Sequence, residues 1–566
     1  MSKRLIECVP NFSEGRDKTI IKQITDAIEA AADVRLLDVD PGEATNRTVV
    51  TFVGEPEAVV EAAFQGVKRA AELIDMRRHK GAHPRIGATD VLPLIPIAGI
   101  TLEECAALAR ALAERIATEL DIPTYCYEAA AFTEARRNLA VCRAGEYEAL
   151  PEKLAIPEKA PDFGARPFDE RIARAGATVV GARDFLIAVN FNLNTTSTRR
   201  ANAIAFDVRE KGRPMREGNP IVGKVVKDAE GNPVMLPGTL KATKAIGWYI
   251  EEYGIAQVSM NLTNIAITSL HTAFDEVCRA AEARGVRVTG TEIVGLVPKR
   301  ALIEAGRHFL HKQHRSTGIT EEEIVRIAIK SMGLDDLRPF DPKQKVIEYL
   351  LEGEQPKNRL VDLTVQGFAE ETASESPAPG GGSISAYLGA LGAALGTMVA
   401  NLSAHKAGWD ERWKEFSDYA EEGQHLMQEL LHLVDEDTAA FNRIMAVFAM
   451  PKTTEEEKAA RREALEEATR YATEVPLRTM QCALRVFPLV CAMAEEGNPN
   501  SVSDAGVGAL AARSAVLGAR LNVRINAAGL KDRTTADRLT AEADRIAEEA
   551  CRIEQEILHL VEQKIG

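Results

Sequence analysis

Between Arg77 and Gly87 the chain reads Arg77-Arg78-His79-Lys80-Gly81-Ala82-His83-Pro84-Arg85-Ile86-Gly87, two histidines and four cations in a segment broken by glycine and proline. A histidine near its ordinary pKa passes protons at neutral pH, and neighbouring cations can hold a substrate carboxylate, so general acid/base work fits these residue types. Two histidines four apart also suggest a metal pair. Gly81 and Pro84 disfavour the helix such a pair needs, and no glutamate stands as in H-E-x-x-H, so no metal is expected. A second polar run, Asp38-Val39-Asp40-Pro41-Gly42-Glu43 followed by Asn46-Arg47-Thr48, falls at the end of an expected strand. For both runs composition alone leaves a plain solvated loop as good a reading as a site.

Nearer the C-terminus, Asp437 falls on an apolar helical stripe of Leu430, Leu433, Val434, Ala440, Phe441, Ile444 and Met445. Spacings of three and four put it between Val434 and Phe441, where an unpaired carboxylate costs several kcal/mol, roughly, and has a raised pKa. Such a group invites a catalytic reading. The structural alternative is an ion pair with Arg513, Arg520 or Arg524, which share one helical face; Asp435, two residues earlier, should point elsewhere and be solvated. The run Ala378-Pro379-Gly380-Gly381-Gly382-Ser383 precedes a Gly/Ala-rich helix whose free N–H groups can receive an anion. It is no P-loop, because no G-K-[ST] follows. Asn500-Ser501-Val502-Ser503-Asp504 reads equally as a helix cap.

These residues need elements to hold them. Residues 5 to 130 alternate strand and helix: a strand at 5–9, a helix at 17–32, strands at 34–39 and 48–53, a helix at 55–74, a strand at 91–97, a helix opened by Thr101 with Glu104 as capping box, and a strand at 123–127. This resembles the ferredoxin-like split βαββαβ pattern. A comparable series starts at Asp184, with a strand at 185–192, a helix at 198–209, a strand pair across 246–269, a helix at 270–284 and a strand at 286–297. Two similar α/β halves are expected, 1–180 and 181–340, with 211–237 as an excursion from the sheet edge. A linker at 341–359 leads to an all-α bundle over 360–566, its helices separated by Pro451, Pro476 and the Gly497-Asn498-Pro499-Asn500 turn.

A chain of 566 residues exceeds what one core organises, and 45% hydrophobic with 27% charged residues is ordinary for globular protein. The net charge of -15 argues against a nucleic-acid or anionic-membrane partner. The eight cysteines show no C-x-x-C pair and read as reduced thiols. The N-terminal residues lack a signal peptide's long apolar run, so a cytoplasmic location is expected. The stretch 384–402 approaches membrane-span length, but its Gly, Ala, Ser385, Thr397 and Asn401 fit a bundle core better.

A resemblance adds to this reading. Glu7-Cys8-Val9-Pro10-Asn11-Phe12-Ser13-Glu14-Gly15, Leu37-Asp38-Val39-Asp40 with Thr45-Asn46-Arg47-Thr48, and His83-Pro84-Arg85 are similar to the glutamate formimidoyltransferase family. The similarity continues through Arg143-Ala144-Gly145-Glu146-Tyr147-Glu148 and 176–183 to Gly295-Leu296-Val297-Pro298. It implies transfer of a formimino group from N-formiminoglutamate to tetrahydrofolate, with His83 as the proton carrier and Asp40 orienting it or polarising the amidine. Arg47 and Arg85 are candidates to hold the dicarboxylate donor, and Asn46 would be a further substrate-binding residue. The family's folate-contacting stretches fall on Gly164 to Gly176, charged and longer than usual here, and on Gly238-Thr239-Leu240, whose glycine otherwise reads as a turn.

Pro379 to Ser383, Val434-Asp435-Glu436-Asp437 with Ala440-Phe441, and Asn500 to Asp504 resemble the cyclodeaminase/cyclohydrolase family. That implies an all-helical dimer closing 5-formimino-tetrahydrofolate to 5,10-methenyl-tetrahydrofolate with loss of ammonia. Asp437 would be catalytic, Asp504 assisting, and Gly380, Gly381, Gly382 and Ser383 substrate-binding. Methenyl-tetrahydrofolate hydrolysis, or a purely oligomerising helical part, are the alternatives. Fusion to a transferase favours deamination, because tethering raises the local concentration of a shared intermediate. The expected assembly is a homo-oligomer built from dimers, acting in histidine breakdown, with tetrahydrofolate in polyglutamylated form and no metal.

Overall fold

The structure is a computed structural model; it describes all residues except 1–3, 32, 44, 82–83, 219–222, 353–358 and 377, and the side chains at 351–352. The chain divides into two compact units, 1–302 with 332–352, and 303–331 with 353–566.

The strands of the first unit are β1 (Leu5–Cys8), β2 (Asn11–Phe12), β3 (Val34–Gly42), β4 (Arg47–Gly54), β5 (Thr89–Ala98), β6 (Thr124–Glu128) and β7 (Thr178–Ala182), then β8 (Ile187–Leu193), β9 (Arg213–Pro214), β10 (Met235–Leu236), β11 (Thr243–Ile250), β12 (Ile255–Leu262) and β13 (Val288–Val294). Helices α1 (Lys18–Ala31), α2 (Pro56–Leu73) and α3 (Leu102–Leu120) serve the first sheet, α4 (Thr198–Val208) and α5 (Leu270–Glu282) the second. Thr101 and Glu104 form the expected reciprocal cap of α3.

In the first sheet β3, β4, β1 and β5 are mutually antiparallel neighbours, and β2 continues β1 between β4 and β5. Parallel strands β7 and β6 extend it. The second sheet runs β11-β12-β8-β13, all antiparallel. Taking β1, β3, β4 and β5 of the first sheet and β8, β11, β12 and β13 of the second, each in chain order, both sheets share the order second, third, first, fourth. The expected excursion is a short β9–β10 ladder.

Strand periodicity of two decides where the polar residues go. Ile6, Cys8, Val50, Phe52, Leu92 and Leu94 are buried in one core with Ile24, Ile28, Phe64, Val67 and Ile116 of the helices. Their neighbours Glu7, Val9, Asn11, Arg47, Val49, Thr51, Val91 and Pro93 are thereby turned to the other face.

The second unit is built on α6 (Gly381–Ala404), α7 (Trp413–Phe448), α8 (Glu455–Glu496), α9 (Val502–Ala528) and α10 (Arg533–Ile565). No strand occurs beyond Val294 among the described residues. Its core is rich in alanine, including Ala386, Ala390, Ala393, Ala509, Ala512 and Ala515. Small residues let backbones approach closely: a methyl on Gly392 would lie 2.8 Å from Gly508 O. Two helices, Gly381–Ala404 and Glu455–Glu496, are long and apolar enough to cross a membrane, and most of each apolar window is buried inside the unit.

Two expectations change. Pro476 does not separate helices but lies inside α8. A proline there leaves the carbonyl four residues earlier without its partner, and Asn526 Nδ2 donates to that carbonyl, Ala472 O, at 2.7 Å. Residues 303–331 group with the bundle rather than with the second α/β half. Thr317 N–H donates to Ser417 Oγ at 3.0 Å, Asn401 Nδ2 donates to Gly318 O at 2.7 Å, and Gly318 fits closely against Ala420. Of the linker at 341–359, helices Pro342–Lys345 and Ile347–Glu352 belong to the first unit, and 353–358 lie outside the described residues.

Candidate functional sites

The polar face of the first sheet borders a cavity of about 320 Å³. Glu7, Asn11, Asp38, Asp40, Arg47 and Arg143 supply polar lining, and Val9, Pro93, Leu186, Val294 and Leu296 apolar walls. The lining is more polar than the mostly apolar pocket usual for small molecules, which suits a polar, charged ligand. Asp40 stands opposite Val49 in the β3–β4 register, which places it on the same face as Arg47. Burial lowers the pKa of Arg47 and raises that of Asp38.

Asn46 positions the surrounding loops. It adopts φ 48° and is 7% exposed; its Oδ1 accepts from Gly15 N–H at 3.0 Å and its Nδ2 donates to Lys80 O at 3.0 Å. The loop after α2 is thus pinned to the start of β4. His79 is part of this scaffold. Its Nδ1 accepts from Arg85 Nε at 3.2 Å, which leaves Nε2–H to donate to Asn46 O at 2.8 Å. With burial lowering its pKa, His79 is held as a neutral tautomer. His83 lies outside the described residues.

Arg85, expected to hold a substrate carboxylate, is already engaged. It is 9% exposed, and its guanidinium donates to Glu146 Oε2 at 3.0 Å and to both oxygens of Glu148 at 2.9 and 2.7 Å. Arg143, absent from the sequence-based set, lines the cavity and pairs with Asp90, which is 1% exposed.

The glycine positions have backbone work. A methyl on Gly176, at φ 72°, would strike Gly87 Cα and Ile86 O, so this glycine closes the base of the 77–87 loop. Gly164 also has φ 72°. The charged stretch between them is paired mostly with residues outside it: Arg166 and Arg171 with Asp121, Glu170 with Arg77, and only Arg166 with Asp169 inside it. Gly238 passes close to Arg209 O, while Thr239 and Leu240 N–H donate to Asp207 O and Val208 O at the end of α4. None of Gly164, Gly176, Gly238, Thr239 and Leu240 lines the cavity on the first sheet.

In the second unit Asp437 meets the N-terminus of α6. Ser383 Oγ lies 3.0 Å from Asp437 Oδ2 and 3.0 Å from Val434 O, and Ser383 N–H also bonds the carboxylate. Burial raises the Asp437 pKa against these hydrogen bonds. One hydroxyl proton cannot serve both acceptors. If Asp437 is protonated it donates to Ser383 Oγ, which donates to Val434 O; if ionised, the hydroxyl turns to it. The pair therefore accommodates Asp437 with and without its proton. Gly382 makes the approach possible, since a methyl there would overlap the Asp437 carboxylate; Gly381 has only Asn522, at 3.5 Å.

The arginine alternative fails: Arg520 and Arg524 pair with Asp544, and Arg513 faces Glu554. Asp435 points elsewhere, as expected, and accepts from Leu360 N–H at 2.7 Å. Asp504 sits in the first turn of α9, 18 residues from Asn522, roughly 27 Å along the same helix. Within one chain it is not brought to Asp437. Among the described residues no group of three or more His, Cys, Asp or Glu could hold a metal ion.

Sequence reasoning passed over Glu7, Asp90, Arg143, Arg183 and the Ser383–Asp437 contact. A charged Glu7 inside the apolar run Leu5-Ile6-Glu7-Cys8-Val9 was the available signal.

An ion-lined cavity in an α/β unit and a half-buried carboxylate at a helix N-terminus in a helical unit give the chain two separate candidate sites. Models of the formiminotransferase domain match residues 5–183, as its N-terminal subdomain, and 188–352, and the formiminotransferase-cyclodeaminase model matches 364–545. The formimidoyltransferase-cyclodeaminase of Mus musculus is 43% identical over 94% of this chain and 93% of its own length. The glutamate formimidoyltransferase of Streptococcus pyogenes is 40% identical over 54% of this chain and 93% of its own. The methenyltetrahydrofolate cyclohydrolase of Methylorubrum extorquens is 38% identical over 36% of this chain and 97% of its own. The chain belongs to the formimidoyltransferase-cyclodeaminase family.

Proposed function

We propose that the chain transfers the formimino group of N-formimino-L-glutamate to tetrahydrofolate and then closes 5-formimidoyltetrahydrofolate to 5,10-methenyltetrahydrofolate with release of ammonia. Family membership across both units supports the two steps. The observation that carries the second is the Asp437 carboxylate held by Ser383 at the start of α6.

In the transfer, the folate nitrogen attacks the amidine carbon and a tetrahedral adduct forms. The nitrogen loses a proton and the departing glutamate nitrogen gains one. His83 matches the family's catalytic histidine and is assigned this shuttle. Asp40, on the cavity face, stabilises the cationic amidine carbon, and Arg47 supplies a cation for the donor's carboxylates. Arg143 also lines that face, with its guanidinium paired to Asp90.

In the closure, the second folate nitrogen attacks the same carbon. Asp437 takes its proton and returns one to the departing amine, so that ammonia leaves. Asp504 remains a candidate only where a second chain supplies it. Gly380 to Ser383 shape the approach to Asp437. Both steps are proton transfers on an amidine, and we read them as metal-free.

The two halves are ferredoxin-like, which their common strand order supports. The acceptor is polyglutamylated, with retention between steps as the reason, and Gly164 to Gly176 and Gly238 to Leu240 are its candidate contacts. A homo-oligomer built from dimers is supported by exposed Leu391 and Met398 on α6 beside exposed Val507 and Leu510 on α9. A cytoplasmic place in histidine degradation fits eight unbridged cysteines.

The test mixes purified protein with formiminoglutamate and tetrahydrofolate and follows methenyl absorbance and ammonia. Both should rise, with ammonia release lost in Asp437→Asn while transfer persists. Silence in both signals from folded protein would overturn the reading. Methenyl hydrolysis without ammonia release would instead assign the helical unit as a cyclohydrolase.

A further inference from the structure

Glu7 is a buried charged residue of the cavity lining that the mechanism above leaves unused. It lies in β1 with 4% exposure, lines the cavity, and its carboxylate makes no hydrogen bond among the described residues. Its facing neighbours are Arg183, which attracts it, and Glu348, which repels it. Burial lifts its pKa to about 7. Natural cores seldom keep an unpaired buried carboxylate unless something else comes to pair with it.

Its place distinguishes it from the Asp40–Arg47 end. Glu7 and Asn11 are on one face four residues apart, roughly 13 Å at the usual strand rise, and Asn11, Val49 and Asp40 form one row across the sheet. Between the two ends run the walls of Val9, Pro93, Val294 and Leu296. A carboxylate deep in a slot is complementary to a planar N–C–N edge that presents two parallel N–H donors. Arg183, which also lines the cavity, can meet an oxygen next to that edge.

We propose that Glu7 is a substrate-binding residue which receives such an N–C–N edge, with Arg183 on the adjacent oxygen. The inference rests on the transferase reading, and both of its substrates carry this chemistry. In tetrahydrofolate the edge is the 2-amino group and N3–H, with O4 beside it. In formiminoglutamate it is the amidinium, with the α-carboxylate beside it, an arm in which Glu7 and Arg183 replace Asp40 and Arg47 as the donor's partners.

The experiment compares full-length wild type with Glu7→Gln, which keeps shape but replaces one acceptor by a donor. Binding of tetrahydrofolate and of formiminoglutamate is measured by calorimetry, together with KM and kcat. The expected result is a tenfold or greater weakening for one substrate, with KM moving more than kcat and the thermal midpoint unchanged or raised. Loss confined to tetrahydrofolate, and absent with an analogue lacking the 2-amino group, assigns the pterin edge. Loss confined to formiminoglutamate assigns the amidinium. Equal affinities of wild type and Glu7→Gln for both substrates overturn the inference. Wild type that binds neither substrate overturns the transferase reading itself. Glu7→Leu, which removes the charge without an amide, gives the same discrimination if Glu7→Gln folds poorly.

Discussion

Ser383 Oγ stands 3.0 Å from Asp437 Oδ2, and this hydroxyl, together with the Ser383 N–H, opposes the rise that burial imposes on the Asp437 pKa. Ser383→Ala removes one of the two bonds favouring the carboxylate, so the Asp437 pKa moves further up. A base works only when ionised, so the rising limb of the pH–rate profile for ring closure should shift to higher pH by roughly 0.5 to 1 unit. Single-step kinetics with supplied 5-formimidoyltetrahydrofolate measures it. An unmoved limb would mean that Asp437 is not the titrating base.

Gly382 and Gly381 are adjacent but should respond unequally to alanine. At Gly382 the added methyl overlaps both Asp437 oxygens, whereas at Gly381 it meets only Asn522 at ordinary contact distance. Gly382→Ala is expected to lower the closure rate about 100-fold or more by displacing the carboxylate, and Gly381→Ala less than about fivefold. Formimino transfer by either variant should stay near wild type.

The contrast between these neighbours was not legible in the sequence, where Gly380 to Ser383 read as a uniform run. What sequence does show is periodicity. Apolar spacing put Asp437 on a stripe of α7 whose Leu430, Leu433 and Val434 are buried while Phe441 and Met445 are exposed, and the polar run after an expected strand put Asp40 and Arg47 in a strand-end loop, whereas both lie inside β3 and β4. Contacts between distant segments are a different matter. Nothing local tells that Arg85 is occupied by Glu146 and Glu148, or that Asp437 meets a serine rather than an arginine, since those partners are 61, 63 and 54 residues away. Pro476 misled for the same reason: the side chain that rescues the interrupted helix belongs to Asn526, in another helix.

Glu7 should make stability fall with pH in a window set by its own titration. Its folded pKa, about 7, is above the reference 4.5, so folding is most favoured while the group is protonated, and that advantage is lost as pH rises through about 7. The shift corresponds to about 3 kcal/mol. Glu7→Gln does not titrate. Urea unfolding should therefore show the variant close to wild type near pH 5 and more stable by up to about 3 kcal/mol at pH 8. A gap that does not widen with pH would show that Glu7 is not held in a desolvated setting.

Asp90 and Arg143 should behave as a single buried unit. Asp90 is 1% exposed, accepts from Arg143 Nε at 3.2 Å and from Ile86 N–H at 3.0 Å, and burial raises its pKa even with the arginine present. Arg143→Ala strands that carboxylate, which typically costs about 3 to 5 kcal/mol. Because an unpaired acid with a raised pKa destabilises more once ionised, the loss should be larger at pH 8 than at pH 5. Adding Asp90→Asn removes the charge, keeps an acceptor for Ile86, and should restore most of the stability. Transfer activity should not return with it, since Arg143 also lines the cavity. Chemical denaturation of the two single variants and the double variant gives the coupling energy directly; additive losses would mean that the pair does not act as one unit.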